Sequence, residues 1–385
     1  MPYSTKAMKK LEHRSLITAP NNLTYSYYLS PNFSQKLSKD VPTLMFVHGY
    51  PDDAYMWAGA IPTFLEMPYP FLVLDLLGFG HSSKPVETKN YNYKAMADSI
   101  SQILDKEKVP NSVIPIGHDW GSATSQRFYL YHKSRCIGLS LLSLAYQVPS
   151  PTAFDLATAN ADTTKRFGYP QWEYWNFFTA PNAAELMRHN MERFFEVNHG
   201  NFPSPNKETD NSPKSGPLAT KGDEPGRDIW MREMFDTGDG TVEGNAMYQY
   251  VTQTGAWKGR IVELKEYAKN DPSIFERFRE RMSRDGFEGP VQYYHSLKNN
   301  TMLEDERALC EKEENKKIEV PLLYIGQTGD WVCRVDLMGD AVQQGLVGDL
   351  EERVVDAGHW CLYEKPEEIA ANIKEWLERR FPVKK

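Results

Sequence analysis

Gly117-His118-Asp119-Trp120-Gly121 falls where an apolar run, VIPI (113–116), gives way to a helical pattern. A tight strand–turn–helix joint of the form G-x-nucleophile-x-G lifts one side chain above the edge of a sheet, and its small flanking residues let neighbouring backbones close in. Here the lifted side chain is a carboxylate. A carboxylate needs no general base to act as a nucleophile and suits displacement at saturated carbon, where a serine would suit a carbonyl carbon. The product would be an alkyl ester of Asp119. A helix-capping aspartate in an ordinary strand-to-helix turn would give the same string.

Releasing such an ester needs water activated by a base. Of nine histidines, His359 stands at the end of a strand-like run, RVVDAG, with a suitable acid, Asp330, on the loop after the preceding strand, PLLYIGQ. Asp356 is nearer in sequence but falls within the strand. The chain order Asp119, Asp330, His359 is nucleophile, acid, histidine. His48-Gly49-Tyr50-Pro51 follows the apolar run TLMFV; alone, it reads equally well as a turn.

These residues must be placed by an alternation of strands and helices. Residues 22–30, 43–48, 71–76, 112–118 and 137–145 read as strands, and 93–108 and 120–134 as helices; Met96, Ile100, Ile103 and Leu104 mark one buried helical face. Such repetition predicts a parallel sheet covered on both faces. From about Gln147 to Lys317 the alternation stops and the chain becomes aromatic and helical, with Trp172, Tyr174, Trp175, Phe177 and Phe178 close together. Within it, 198–228 has almost no apolar residues and reads as a long surface loop or disordered segment. A strand (320–327), a helix (335–345), a strand (351–356) and a helix (366–380) then close the chain. The organisation expected is a core formed by 1–146 and 318–385, interrupted by a helical cap at 147–317. The charged run at 304–317 reads as a solvated helix.

Composition narrows the function classes. The 385 residues are 41% hydrophobic and 25% charged, as in an ordinary globular protein, and no window is apolar enough for a membrane span. A net charge of -8 argues against nucleic-acid binding. Four cysteines without a CxxC pair, and no signal-peptide pattern, lead to the expectation of a reduced, cytoplasmic protein. The scattered histidines and the absence of HExxH predict no metal site. Cys333 and Cys361 read as small packed residues, and His118 as a packed or hydrogen-bonded neighbour of the turn.

HGYP, DLLGFGHSSKP (75–85), GHDWGS, GDW around Asp330 and AGHW around His359 resemble the epoxide hydrolase branch of the α/β-hydrolase superfamily, over roughly 40–146 and 318–380. The resemblance implies the α/β-hydrolase fold, a mostly parallel eight-stranded sheet flanked by helices with a cap inserted after strand 6. It implies that the Tyr50 and Trp120 backbone amides form an oxyanion hole, and that two cap tyrosines hydrogen-bond the epoxide oxygen. EYWNFFTAPNAAEL (173–186) puts Tyr174 in the first of those roles, and GPVQYYHS (289–296) puts Tyr294 in the second. His295 stands where the family usually has arginine, so Tyr293 is kept as the fallback. The expected pocket is completed by His48, Pro51, Trp175, Tyr293 and Trp360. A small apolar epoxide and water would be the substrates, with no cofactor.

Haloalkane dehalogenases share the nucleophile and histidine, and Trp120 with Trp175 resembles their pair of halide donors. They often carry Asn after HG, where Tyr50 stands here. Fluoroacetate-type dehalogenases place arginines where Trp120 and Ala123 stand. A non-hydrolytic isomerase or binding protein on this fold would be free to lose any of Asp119, Asp330 and His359, and all three are present.

Overall fold

The computed structural model describes residues 5–202 and 228–383. The loop expected at 198–228 lies mostly outside the described residues.

Ten strands occur among the described residues, in chain order: β1 (Glu12–Thr18), β2 (Leu23–Leu29), β3 (Thr43–Val47), β4 (Phe71–Asp75), β5 (Val113–His118), β6 (Leu139–Leu142), β7 (Gly200–Asn201), β8 (Glu263–Leu264), β9 (Leu322–Gln327) and β10 (Leu350–Val355). Eight form one sheet in the order β1-β2-β4-β3-β5-β6-β9-β10, and β7 pairs with β8. The β1–β2 and β2–β4 pairings are antiparallel and the remaining pairings in the large sheet are parallel. β3, β4, β5 and β9 are buried along their whole length, as strands covered on both faces must be. This is the α/β architecture expected, with its helical insertion between β6 and β9.

Helices Tyr93–Lys106, Trp120–Tyr131 and Pro366–Arg380 pack on the sheet. The last begins with Pro366 and two glutamates and ends in Arg379 and Arg380, matching the helix dipole at both ends. β1 escapes sequence reading because it is an edge strand: Arg14 and Thr18 stand on its more covered face while Ile17 is exposed, so the residue types do not follow the alternation of its faces.

The insertion is held to the core by charged side chains. Arg277 pairs with Asp53 at 3.1 Å, and Arg281 donates to the Pro51 carbonyl at 2.5 Å. Arg127, on the helix after Asp119, makes a two-pronged contact with Glu306 at 2.7 and 2.8 Å. Glu306 belongs to helix Leu303–Cys310, so the 304–317 run is not solvated throughout; this acid turns inward and is buried.

Candidate active site

β5 ends at His118, and Asp119 turns the chain into helix Trp120–Tyr131 with φ 53° and ψ -121°. That positive φ is strained for a residue with a Cβ and places the side chain above the sheet edge. The turn closes tightly: a Cβ on Gly121 would stand 2.3 Å from the Val47 carbonyl oxygen, so only glycine lets the helix meet the end of β3. The Asp119 carboxylate makes no cap to its own helix. Instead Oδ1 accepts the Tyr50 N–H at 2.8 Å, and the adjacent Trp120 N–H favours the charged carboxylate. This arrangement leaves no place for the helix-capping alternative.

His359 follows β10 and Asp330 follows β9. His359 Nδ1 donates to Asp330 Oδ2 at 2.6 Å, leaving Nε2 at 3.6 Å from Asp119 Oδ2. Asp330 Oδ1 accepts the Val332 and Cys333 N–H groups at 3.1 and 2.8 Å. Asp356 is exposed and bonded to Thr328 Oγ1 at 2.7 Å, so the acid at His359 is Asp330. His118 Nε2 donates to the His359 carbonyl at 2.8 Å, and burial pushes its pKa down to about 3, keeping it neutral.

The nucleophile, the acid and the histidine are each shifted by a contest between burial and neighbours. Burial raises Asp119, and the His359 charge with the Tyr50 and Trp120 amides only partly offsets this. Burial also acts to raise Asp330, but His359 and the Cys333 amide outweigh it and hold it below the usual carboxylate range. Burial acts to lower His359, yet Asp330 and Asp119 hold it above an ordinary imidazole. The Asp330 and His359 side chains, with Cys333, also bring potential metal-ligand atoms within 4.8 Å of one another. The 2.6 Å hydrogen bond already occupies one oxygen and one nitrogen of that set.

Asp119 opens into a cavity of about 420 Å³, whose lining includes Trp120, Tyr174, Trp175, Phe154 and Cys333. Tyr174 and Tyr294 stand edge to face with ring centroids 5.8 Å apart. Both are buried, both sense the Asp119 charge, and burial pushes both phenols well above their usual pKa. Tyr174 lines the cavity directly, beside the Trp175 indole; Tyr294 packs against Trp120 and Tyr50 at 5.2 Å from each.

Four residues expected in the pocket stand elsewhere. His48 bridges two loops: Nδ1 donates to the Gly49 carbonyl at 2.9 Å and Nε2 accepts the Leu76 N–H at 3.0 Å. Pro51 offers its carbonyl to Arg281. The Tyr293 hydroxyl donates to the Leu77 carbonyl at 3.1 Å, inside the core. Trp360 packs against His359, His199 and Phe235 and does not reach the cavity. Cavity-lining Tyr93, Phe154, Gln171 and Cys333 were missed, because nothing local in the sequence distinguishes a residue facing a cavity from one facing the core.

A strand-to-helix elbow bearing a carboxylate, facing a histidine–aspartate pair across the ends of parallel strands, defines a class: the chain belongs to the alpha/beta hydrolase fold family, whose model matches residues 42–366. Within it, relatives place the chain in the epoxide hydrolase branch. It is 24% identical over 375 residues to epoxide hydrolase srdG of Neurospora crassa, covering 96% of each chain. It is 26% identical over 341 residues to epoxide hydrolase A of Mycobacterium tuberculosis, covering 87% of this chain and 90% of that one. The solved structure of epoxide hydrolase A from Mycobacterium thermoresistibile superposes with a TM-score of 0.69 at 19% identity, over 96% and 98% of the two chains, a likeness of fold.

Proposed function

We propose that this protein is an epoxide hydrolase that works through an ester on Asp119. The observation that carries the reading is the Asp119 carboxylate at the elbow, held on one side by the Tyr50 amide at 2.8 Å and faced on the other by His359 Nε2 at 3.6 Å. Asp119 attacks one carbon of the epoxide, and the carbon–oxygen bond of the ring breaks. The departing oxygen takes a proton from a cap phenol, Tyr174 or Tyr294, giving a hydroxyalkyl ester. His359 Nε2 then removes a proton from water, and the hydroxide attacks the Asp119 carbonyl carbon. The Tyr50 and Trp120 amides bond the resulting oxyanion, and its collapse breaks the ester bond, expelling the diol as its alkoxide and leaving Asp119 as the neutral acid. The imidazolium protonates that alkoxide to give the diol, the Asp119 acid releases its proton to solvent and so restores the carboxylate, and the phenolate recovers its proton from solvent. The largely apolar cavity suits a bulky, apolar epoxide.

The test is to trap the ester. His359→Gln, incubated with a styrene-oxide-type epoxide and separately with 1-bromobutane, should gain the full mass of the epoxide on the Asp119 peptide. An adduct from the bromide alone, as a butyl group without bromine, would move the activity to dehalogenation. The adjacent Trp120 and Trp175 rings, 6.1 Å apart, are the feature such an activity would use.

A further inference from the structure

The turn that carries His359 is clasped by charged side chains from two parts of the fold. The Gly358 N–H donates to Glu364 Oε2 at 3.0 Å. A Cβ built on Gly358 would lie 2.8 Å from Lys265 Nζ, 3.3 Å from Asp228 Oδ2 and 3.4 Å from Glu364 Oε2. Lys265 is paired with Asp228, and both side chains are about nine-tenths buried. Asp228 also caps helix Ile229–Asp236 by accepting the Met231 N–H at 3.0 Å, while the Lys265 N–H donates to the His199 carbonyl. Lys265 and Asp228 come from the insertion; Gly358 and Glu364 come from the core. Neither Lys265 nor Asp228 lines the cavity.

We propose that Lys265 is a positioning residue for His359, by which the insertion pins the Gly358–His359 turn and fixes the charge beside the imidazole. The inference rests on His359 being the base. An isolated ion pair far from the site would do no more than join two segments. This one touches the residue next to the imidazole, in a place poor in water where a unit charge acts strongly. The titratable groups around the ring are Asp330 and Cys333 after β9, Asp119 and His118 at the elbow, Lys265 and Asp228 from the insertion, and Cys361 and Glu364 on its own segment. Among them Lys265 opposes Asp330 and Asp119: its positive charge disfavours the imidazolium, so the base stays available for water.

The test reads the imidazole itself and needs no substrate. Lys265→Met removes the positive charge, so the His359 pKa measured by NMR titration should rise. Glu364→Gln keeps an acceptor for the Gly358 N–H but leaves Lys265 less compensated, so the pKa should fall. Lys265→Arg, which keeps the charge, should leave it unchanged and shows whether position 265 tolerates substitution. In turnover, Lys265→Met should lower kcat at neutral pH about tenfold with KM unchanged, because its effect runs through the base. Shifts of the same sign in Lys265→Met and Glu364→Gln, or no shift in either, overturn the proposal. Opposite shifts in a protein that opens no epoxide would overturn the epoxide reading and leave this one standing.

Discussion

His359 Nε2 lies 3.6 Å from Asp119 Oδ2, while its other nitrogen is bonded to Asp330 at 2.6 Å. One face of the ring is therefore fixed and the other is held just beyond hydrogen-bonding distance of the nucleophile. The histidine is oriented without being consumed by a bond to the carboxylate it must later attack through water.

A pH signature follows from that spacing. Asp119's negative charge is one of the influences raising His359 in the free protein. Esterification removes this charge, so His359 in the intermediate must have a lower pKa than in the free protein. Ester hydrolysis needs the neutral ring and is lost as pH falls through that lower value. The acid limb of kcat, under conditions where hydrolysis limits turnover, should thus lie below the His359 pKa measured by NMR without substrate. A limb at or above the NMR value would contradict the assigned order of steps.

Heavy-oxygen labelling tests the ester directly. In a single turnover in 18O water, the diol should carry no label and the Asp119 peptide should gain one 18O atom, since water attacks the carboxyl carbon. Label in the diol after one turnover would mean direct attack of water on the epoxide.

The two cap tyrosines should contribute unequally. Tyr174 lines the cavity and Tyr294 packs behind it against Trp120 and Tyr50. Tyr174→Phe should slow alkylation of Asp119 by about 10²-fold, the usual cost of one lost hydrogen-bond donor to a developing oxyanion, and Tyr294→Phe by less. Tyr293→Phe should leave the rate nearly unchanged, because its hydroxyl is spent on the Leu77 carbonyl. Rapid-quench measurement of the ester in a His359→Gln background separates the three.

That adjacent tyrosines differ shows where sequence reading stops. The elbow was legible because its chemistry is local: two glycines, a carboxylate, a strand before and a helix after. The closing helix Pro366–Arg380 was legible for the same reason. Successive residues on a helix point about 100° apart, so Tyr293 and Tyr294 face different surroundings, and which of them meets the site depends on how helix Gln292–Lys298 docks on the core. His48 and Trp360 sit beside motif residues in sequence, yet their side chains serve the loops that hold the motif. Their roles depend on long-range packing between β3, β4 and the insertion.

Removing the acid should separate the two chemical steps. Asp330→Asn leaves Asp119 and its amide donors intact, so alkylation should continue. It takes away the charge that orients and favours His359, so ester hydrolysis should fall by up to about 10⁴-fold and ester should accumulate. Asp356→Asn should leave hydrolysis unchanged, since Asp356 is exposed and bonded to Thr328. Equal losses in both variants would remove the assignment of Asp330.

The Arg127–Glu306 contact joins the helix behind the nucleophile to the insertion, and its energetics should be those of a buried ion pair. Arg127 Nη1 also donates to the Gln147 carbonyl at 2.7 Å, at the point where the chain leaves the core. Both charged side chains are about nine-tenths buried or more. Changing Glu306 to Gln strands the guanidinium beside a neutral partner and should destabilise the protein by about 3 kcal/mol, read as a lower midpoint in urea. Replacing both residues by methionine removes the stranded charge as well as the bond. The double variant should therefore recover part of that loss, since well-packed apolar side chains often match a buried pair. A double variant less stable than either single one would show that the pair is net stabilising here, with the Gln147 carbonyl depending on the Arg127 donor.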